Sequence, residues 1–186
     1  MTHLSVRIGR FGKAPVLIHA TSLLWILLFS LSNDLLVSIW ACVLLTLLVL
    51  MHELGHAWVC RLVGAEVEKI IVFPFIGYCF YSVDPDSDER DQILIAWGGV
   101  FVQFVILLVT LLCFQVFTGS MMMPGYVRLN GMGIDSMTWQ ILVGFNFGII
   151  VANLVPLPDF DGERAWLMNP LRAARAMWLF WKKQRQ

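Results

Sequence analysis

The sequence predicts an all-α membrane protein with about four transmembrane helices, a short β or re-entrant segment between helices two and three, and a C-terminal amphipathic helix. Three observations carry this. The chain is 59% hydrophobic and only 14% charged, against about 45–50% and about 25% for a soluble domain. No Lys, Arg, Asp or Glu falls between Lys13 and Asp34, and none between Leu35 and Met51. From Glu163 onward, apolar and basic residues alternate at helical spacing. The length of 186 residues fits a single membrane domain over 1–186. A net formal charge of zero gives no footprint for nucleic acid.

Taken in order, Met1–Lys13 is a short basic segment with Arg7, Arg10 and Lys13. It is too polar for a cleavable signal, and no small-residue cleavage site follows the first apolar run. Residues 16–31 read as the first span, near the lower limit of about 17 residues. Ser32-Asn33-Asp34 is a turn, residues 35–63 are the second span, and Gly64 is its stop. Residues 67–83 carry Glu68, Lys69, Pro74 and Gly77 among β-branched and aromatic residues, which suits short strands or a re-entrant loop. Residues 84–91 form an acidic loop. Its Asp84, Asp86 and Asp88 lack the glycine and terminal glutamate of a calcium loop.

Residues 92–117 read as the third span. Its Trp97-Gly98-Gly99 allows close approach of another helix or of a metal site, and Gln103 reads either as a helix–helix bond or as an active-site contact. Residues 118–136 form a Gly- and Met-rich loop, with Met121–Met123 read as hydrophobic packing rather than a copper site. Residues 137–157 are the fourth span, broken by Pro156 and Pro158, with Gly162 permitting a tight turn. In the tail, Trp166, Leu167, Leu171, Trp178 and Leu179 oppose Arg164, Arg172, Arg175, Lys182 and Lys183, which suits a helix lying on anionic lipid. Cys42, Cys60, Cys79 and Cys113 form no C-x-x-C pair and read as buried small hydrophobes.

The chemistry is concentrated in Met51–Ala57. His52 and His56 are four apart, so a helix stacks their imidazoles on one face where they can share a zinc ion. Glu53 lies between them as a general base. Ionisable groups cost about 2.5–3.5 kcal/mol each at mid-membrane on insertion scales, so their presence at the end of an apolar run argues for use. His19 reads as a hydrogen-bonded interfacial histidine rather than a ligand. Four spans would put the N-terminus, the Arg61–Arg90 segment and the tail on one side, with every Lys and Arg except Arg128. The excess of positive charge makes that side cytoplasmic. His52, His56 and Asp161 emerge together there.

The H-E-L-G-H of residues 52–56, followed about a hundred residues later by Asn153-x-x-Pro156-x-x-x-x-Asp161-Gly162, resembles the site-2 protease family of intramembrane zinc metalloproteases. Gly98-Gly99 and the Gly12-x-x-Pro15-x-x-x-His19 entry are also similar to family features. The family usually has Gly-Pro at the former and Leu-Asp-Gly where this chain has Phe160-Asp161-Gly162; neither departure removes a ligand. The resemblance implies one Zn2+ per chain held by His52, His56 and Asp161, with Glu53 as base and Asn153 donating to the substrate or oxyanion. Asp159 is a rival ligand that does not precede glycine. The implied substrate is a single-span membrane protein cut in or near its transmembrane segment. Such a helix must unwind, and an exposed strand edge within residues 67–83 would hold it by β-addition. The implied setting is the bacterial inner membrane, with the lipid bilayer as partner, both termini cytoplasmic and the oligomeric state open. The competing readings are an inactive membrane scaffold and a metal-binding membrane protein such as a transporter. A scaffold would not need Glu53 with both histidines and Asp161, and a transporter would carry more acids or histidines in its spans.

Overall fold

The computed structural model describes residues 4–31, 34–83, 89–118, 134–157, 160–167 and 169–183. The acidic loop with Asp84, Asp86 and Asp88, the Met121–Met123 run and Asp159 lie outside them. The chain runs β1 (Ser5–Phe11), β2 (Ala14–His19), a 3-10 turn (Ala20–Leu23), α1 (Leu24–Ser30), α2 (Leu35–Val63), β3 (Glu66–Val72), β4 (Gly77–Ser82) and α3 (Glu89–Thr118). Then follow α4 (Ile134–Trp139), a π-helical stretch (Gln140–Phe145), α5 (Asn146–Leu154), α6 (Gly162–Ala165) and α7 (Pro170–Lys183).

Among the described residues, three helical stretches are long and apolar enough to cross a membrane: Leu35–Val63, Glu89–Val116 and Met137–Leu154. The expected first span over 16–31 is not among them. Its opening residues form β2, and only Ala20–Ser30 is helical. The reason is legible in β2: Val16 and Ile18 are β-branched and alternate along a strand, and Ala14 and Val16 are buried. The basic N-terminal segment is likewise ordered as β1, joined to β2 by a two-residue turn at Gly12-Lys13 in which Gly12 has φ 61°.

The four strands form one sheet in the order β1-β2-β3-β4. β2 and β3 are parallel, with α1 and α2 as their crossover, while both outer pairs are antiparallel. Residues 67–83 are therefore strands, as expected, but β3 is interior and only β4 offers an edge. The sheet packs along the second half of α2, where Val16, Ile70 and Val72 meet Val49, Leu50 and Ala57.

α2 runs unbroken until Gly64, whose φ of 85° ends it in the left-handed conformation. Its buried stripe descends through Ala41, Leu45, Leu48, His52, His56 and Val59 at three- and four-residue steps. The upper part packs with Trp25, Met137 and Ile141. The lower part packs with the start of α3 and with Ile150, Ala165, Ala173 and Met177. The outward residues, such as Leu36, Val43, Leu47, Leu108 and Val116, stay exposed and suit a hydrocarbon solvent.

The expected tail helix is two pieces. It breaks before Pro170, because Asn169 caps α7 through its Oδ1, which accepts the Leu171 N–H at 2.9 Å, and Pro170 takes the first helical position. α7 is amphipathic as expected. Sheet pairing and the Arg164–Gln92 bond gather the strands, the start of α3 and the 160–183 segment at one end of the bundle.

Candidate metal centre

Two glycines bring α3 against α2. A Cβ on Gly55 would lie 2.5 Å from the Gly98 carbonyl oxygen, and one on Gly98 would lie 2.6 Å from that of Gly55. No larger residue permits this crossing. The next residue faces the histidines: a Cβ on Gly99 would lie 2.5 Å from His52 Cε1 and 2.6 Å from His56 Nε2. Both readings of the glycine pair hold, one glycine for each.

The two imidazoles are fixed from behind. His52 Nδ1 faces Gln103 Oε1 at 3.2 Å, and His56 Nδ1 faces the Ile95 carbonyl oxygen at 2.7 Å. These oxygens only accept, so each Nδ1 carries a proton, and in the neutral ring each Nε2 presents a lone pair. The two Nε2 atoms are 3.0 Å apart. Asp161 Oδ2 joins them at 3.0 Å from His52 Nε2 and 3.3 Å from His56 Nε2. That oxygen has no hydrogen-bond donor among the described residues. Three lone-pair atoms converging with no proton between them are mutually repulsive unless a cation sits among them. Their separations approach the roughly 3.3 Å that tetrahedral ligands take at zinc bond lengths. The residues fit zinc, and His52, His56 and Asp161 are the group able to hold it.

Asp161 arrives from elsewhere in the chain, held by indole bonds. α5 ends at Leu154, and the chain turns back through Val155 in extended conformation. Gly162 lies so close to Leu154 and Val155 that any side chain there would collide with their backbone. Trp166 Nε1 donates to Leu154 O at 2.6 Å, and Trp97 Nε1 donates to Ala165 O at 2.8 Å. Arg164 Nη1 donates to Gln92 Oε1 at 2.6 Å.

Glu53 is buried beside this group. It accepts the backbone N–H of Cys79 on β4, and Gly77 packs directly on its side chain, leaving no room for a Cβ. His52, Glu53, His56 and Asp161 line one cavity of about 660 Å³ with the start of β4 and with Ile149, Asn153 and Phe160. Asn153 faces this cavity, but its Nδ2 donates to Ile149 O at 3.1 Å within its own helix. His19 is not part of the group: its Nδ1 bonds Thr21 and caps the 3-10 turn.

A model of the Peptidase M50B-like family matches residues 18–129. A zinc metalloprotease of Methanocaldococcus jannaschii is 30% identical over 86% of this chain and 44% of its own length. The solved site-2 protease of the same organism superposes with a TM-score of 0.64 at 27% identity, covering 87% of this chain and 69% of that one. The chain belongs to the site-2 protease family. It spans less than half the length of the first of these relatives. Membership and the three long apolar helices make this site-2 protease homologue an integral membrane protein, and the family implies zinc.

The sequence did not point to Gly77, to the Ile95 carbonyl or to the indole bonds of Trp97 and Trp166 as parts of the site. A backbone carbonyl leaves no mark in a sequence. The tryptophans do leave one: an indole N–H in an apolar environment needs an acceptor.

Proposed function

We propose that this chain is an intramembrane zinc metalloprotease that hydrolyses a peptide bond in or near the transmembrane segment of a single-span membrane protein. The observation that carries the reading is the convergence of His52 Nε2, His56 Nε2 and Asp161 Oδ2 beside Glu53 in one cavity. His52, His56 and Asp161 would hold one zinc per chain. When bound, the metal supplies the Lewis acidity that brings a water's pKa down toward about 7. Glu53 accepts the proton of the attacking water and hands it to the leaving amine. In its present hydrogen bond to Cys79 it is oriented but not locked, because the carboxylate has lone pairs to spare. Asn153, after turning its amide from Ile149, donates to the oxyanion or to a neighbouring substrate carbonyl.

The substrate helix unwinds and adds to the sheet at β4, whose first residues border Glu53. Main-chain bonds to β4 replace those lost from the helix. The end of the bundle carrying Arg7, Arg10, Lys13, Arg61, Lys69 and the basic α7 is cytoplasmic by the positive-inside rule. Both termini then face the cytoplasm, in a bacterial inner membrane. α7 lies on the surface with Trp178 and Leu179 toward lipid.

The test is co-expression with candidate single-span proteins. Glu53→Gln should retain fold and zinc while cleavage falls by about 10²–10⁴-fold, since an amide cannot accept the proton. Cleavage at the unmodified rate by this variant would remove Glu53 as base.

A further inference from the structure

We infer that Gln103 is the positioning residue of the metal centre. Its amide oxygen fixes the His52 ring with Nδ1 as donor and Nε2 toward the metal, and Asn146 braces Gln103 for this. The inference rests on His52 being a ligand.

Gln103 is fully buried in the middle of α3. It lies one turn beyond Gly99 and therefore on the face that crosses α2. Its neighbours Val100, Phe101, Val102, Phe104 and Val105 are all apolar. Packing alone would be served by another aliphatic residue there, because a buried amide is costly unless paired. Its Oε1 accepts a hydrogen bond from His52 Nδ1, and its Nε2 has no partner among the described residues. An amide kept only to bind one helix to another would engage both its ends. This one is committed at the end that touches a ligand ring.

Asn146 is the brace. It is also fully buried, and its Nδ2 donates to the Gln103 backbone oxygen at 3.1 Å. It opens α5 directly after the π-helical stretch Gln140–Phe145. The wider π turn rotates the helix that follows, so that Asn146 meets α3 and Asn153, two turns on, meets the cavity. His56 takes its orienting bond from a main-chain carbonyl, which no substitution removes. His52 takes its own from a side chain, so the two rings can be tested separately.

The experiment uses the full chain purified in detergent. Zinc affinity is measured by competition with a chromophoric chelator. Thermal unfolding is followed both in EDTA and with zinc. Gln103→Leu should bind zinc about 10–100-fold more weakly, as loss of a ligand's orienting partner does. Its unfolding temperature in EDTA should match that of the parent protein, while the rise produced by zinc shrinks. Gln103→Glu, which keeps an acceptor oxygen, should restore affinity, and Asn146→Leu should fall between. Parental zinc affinity in Gln103→Leu overturns the inference. So does a lower unfolding temperature in EDTA with the zinc-induced rise intact, or failure to fold, since each assigns Gln103 to helix packing. His52→Ala separates the two layers: its loss of zinc keeps the ligand reading whatever Gln103 does, while its retention of zinc overturns both.

Discussion

Gly99→Ala adds one methyl group and removes nothing, which makes it the sharpest probe of the centre. The new Cβ would lie 2.5 Å from His52 Cε1 and 2.6 Å from His56 Nε2. Ordinary carbon contacts begin at about 3.5 Å, so the histidines or the helix must give way by roughly an ångström. The helix cannot retreat easily, because Gly98 is already against the Gly55 backbone. Both imidazoles are anchored from behind by Gln103 and Ile95. Overpacking of this kind costs about 1–3 kcal/mol. Falling mainly on the ligand geometry, it should weaken zinc binding about 5- to 150-fold. A misplacement of about 1 Å should lower cleavage by about 10²-fold. Gly98→Ala is the control: its Cβ strikes the Gly55 carbonyl, so stability should fall even in EDTA. Zinc competition and thermal unfolding of both variants, with and without chelator, check this. Parental zinc affinity in Gly99→Ala would show that α3 does not confine the ligands.

Asp161→Asn should lose most zinc and all cleavage while inserting normally, whereas Asp159→Asn should do little; metal content and cleavage measured side by side decide it, and the reverse pattern would mean that the third ligand is misassigned. A photo-crosslinking residue at Tyr78 or Phe80 on β4 should form adducts with a substrate, and one at Val6 on the far edge β1 should not; adducts from β1 alone would place the substrate elsewhere. Accessibility labelling of cysteines introduced at residues 10 and 183 should report the same, cytoplasmic side, and labelling of either from the opposite side would reverse the orientation.

The long helices were legible because nothing competes with their apolar runs, and Gly64 marks the end of α2 as only a left-handed residue can. The ligand motif was legible for the same reason that it functions: a four-residue spacing is a geometric statement on a helix. The start of the first span was misplaced because β2 and the short helix after it form one uncharged run, and hydropathy does not distinguish a buried strand from a helix. Besides β1, β2 pairs with β3, more than 50 residues away, with Val16 opposite Ile70, and no local pattern announces that second pairing. A proline at Ile71 would therefore break an interior strand rather than test a substrate edge. The break in the tail was readable, since Asn169-Pro170 is a cap followed by a first-turn proline. The role of Gln103 was left open in the sequence because it depends on how closely α3 crosses α2, which two glycines permit but do not by themselves orient.

The H-E-x-x-H helix supplies two of the three ligands, yet one short stretch of α3 sets the positions of all of them. Within residues 95–103, the Ile95 carbonyl holds His56, the Trp97 indole holds the backbone beside Asp161, Gly98 admits the Gly55 backbone, Gly99 faces both imidazoles, and Gln103 holds His52. These residues follow the three- and four-residue steps of one helical face, with Trp97 turned toward the segment that carries Asp161. A helix is stiff over this distance, so the five contacts share one frame. Asp161 is fixed relative to the histidines even though about a hundred residues separate them. This is why the tryptophan and the two glycines stand together: the glycines remove side chains where the ligands need space, and the adjacent indole reaches across to the third ligand's segment. Distortion of α3 near Gly98 would move all three ligands at once, whereas distortion at Val155, where the chain leaves α5, would displace Asp161 alone. The bonds of Trp97, Trp166 and Arg164 therefore tie the end of α5 and the segment that carries Asp161 to each other and to α3.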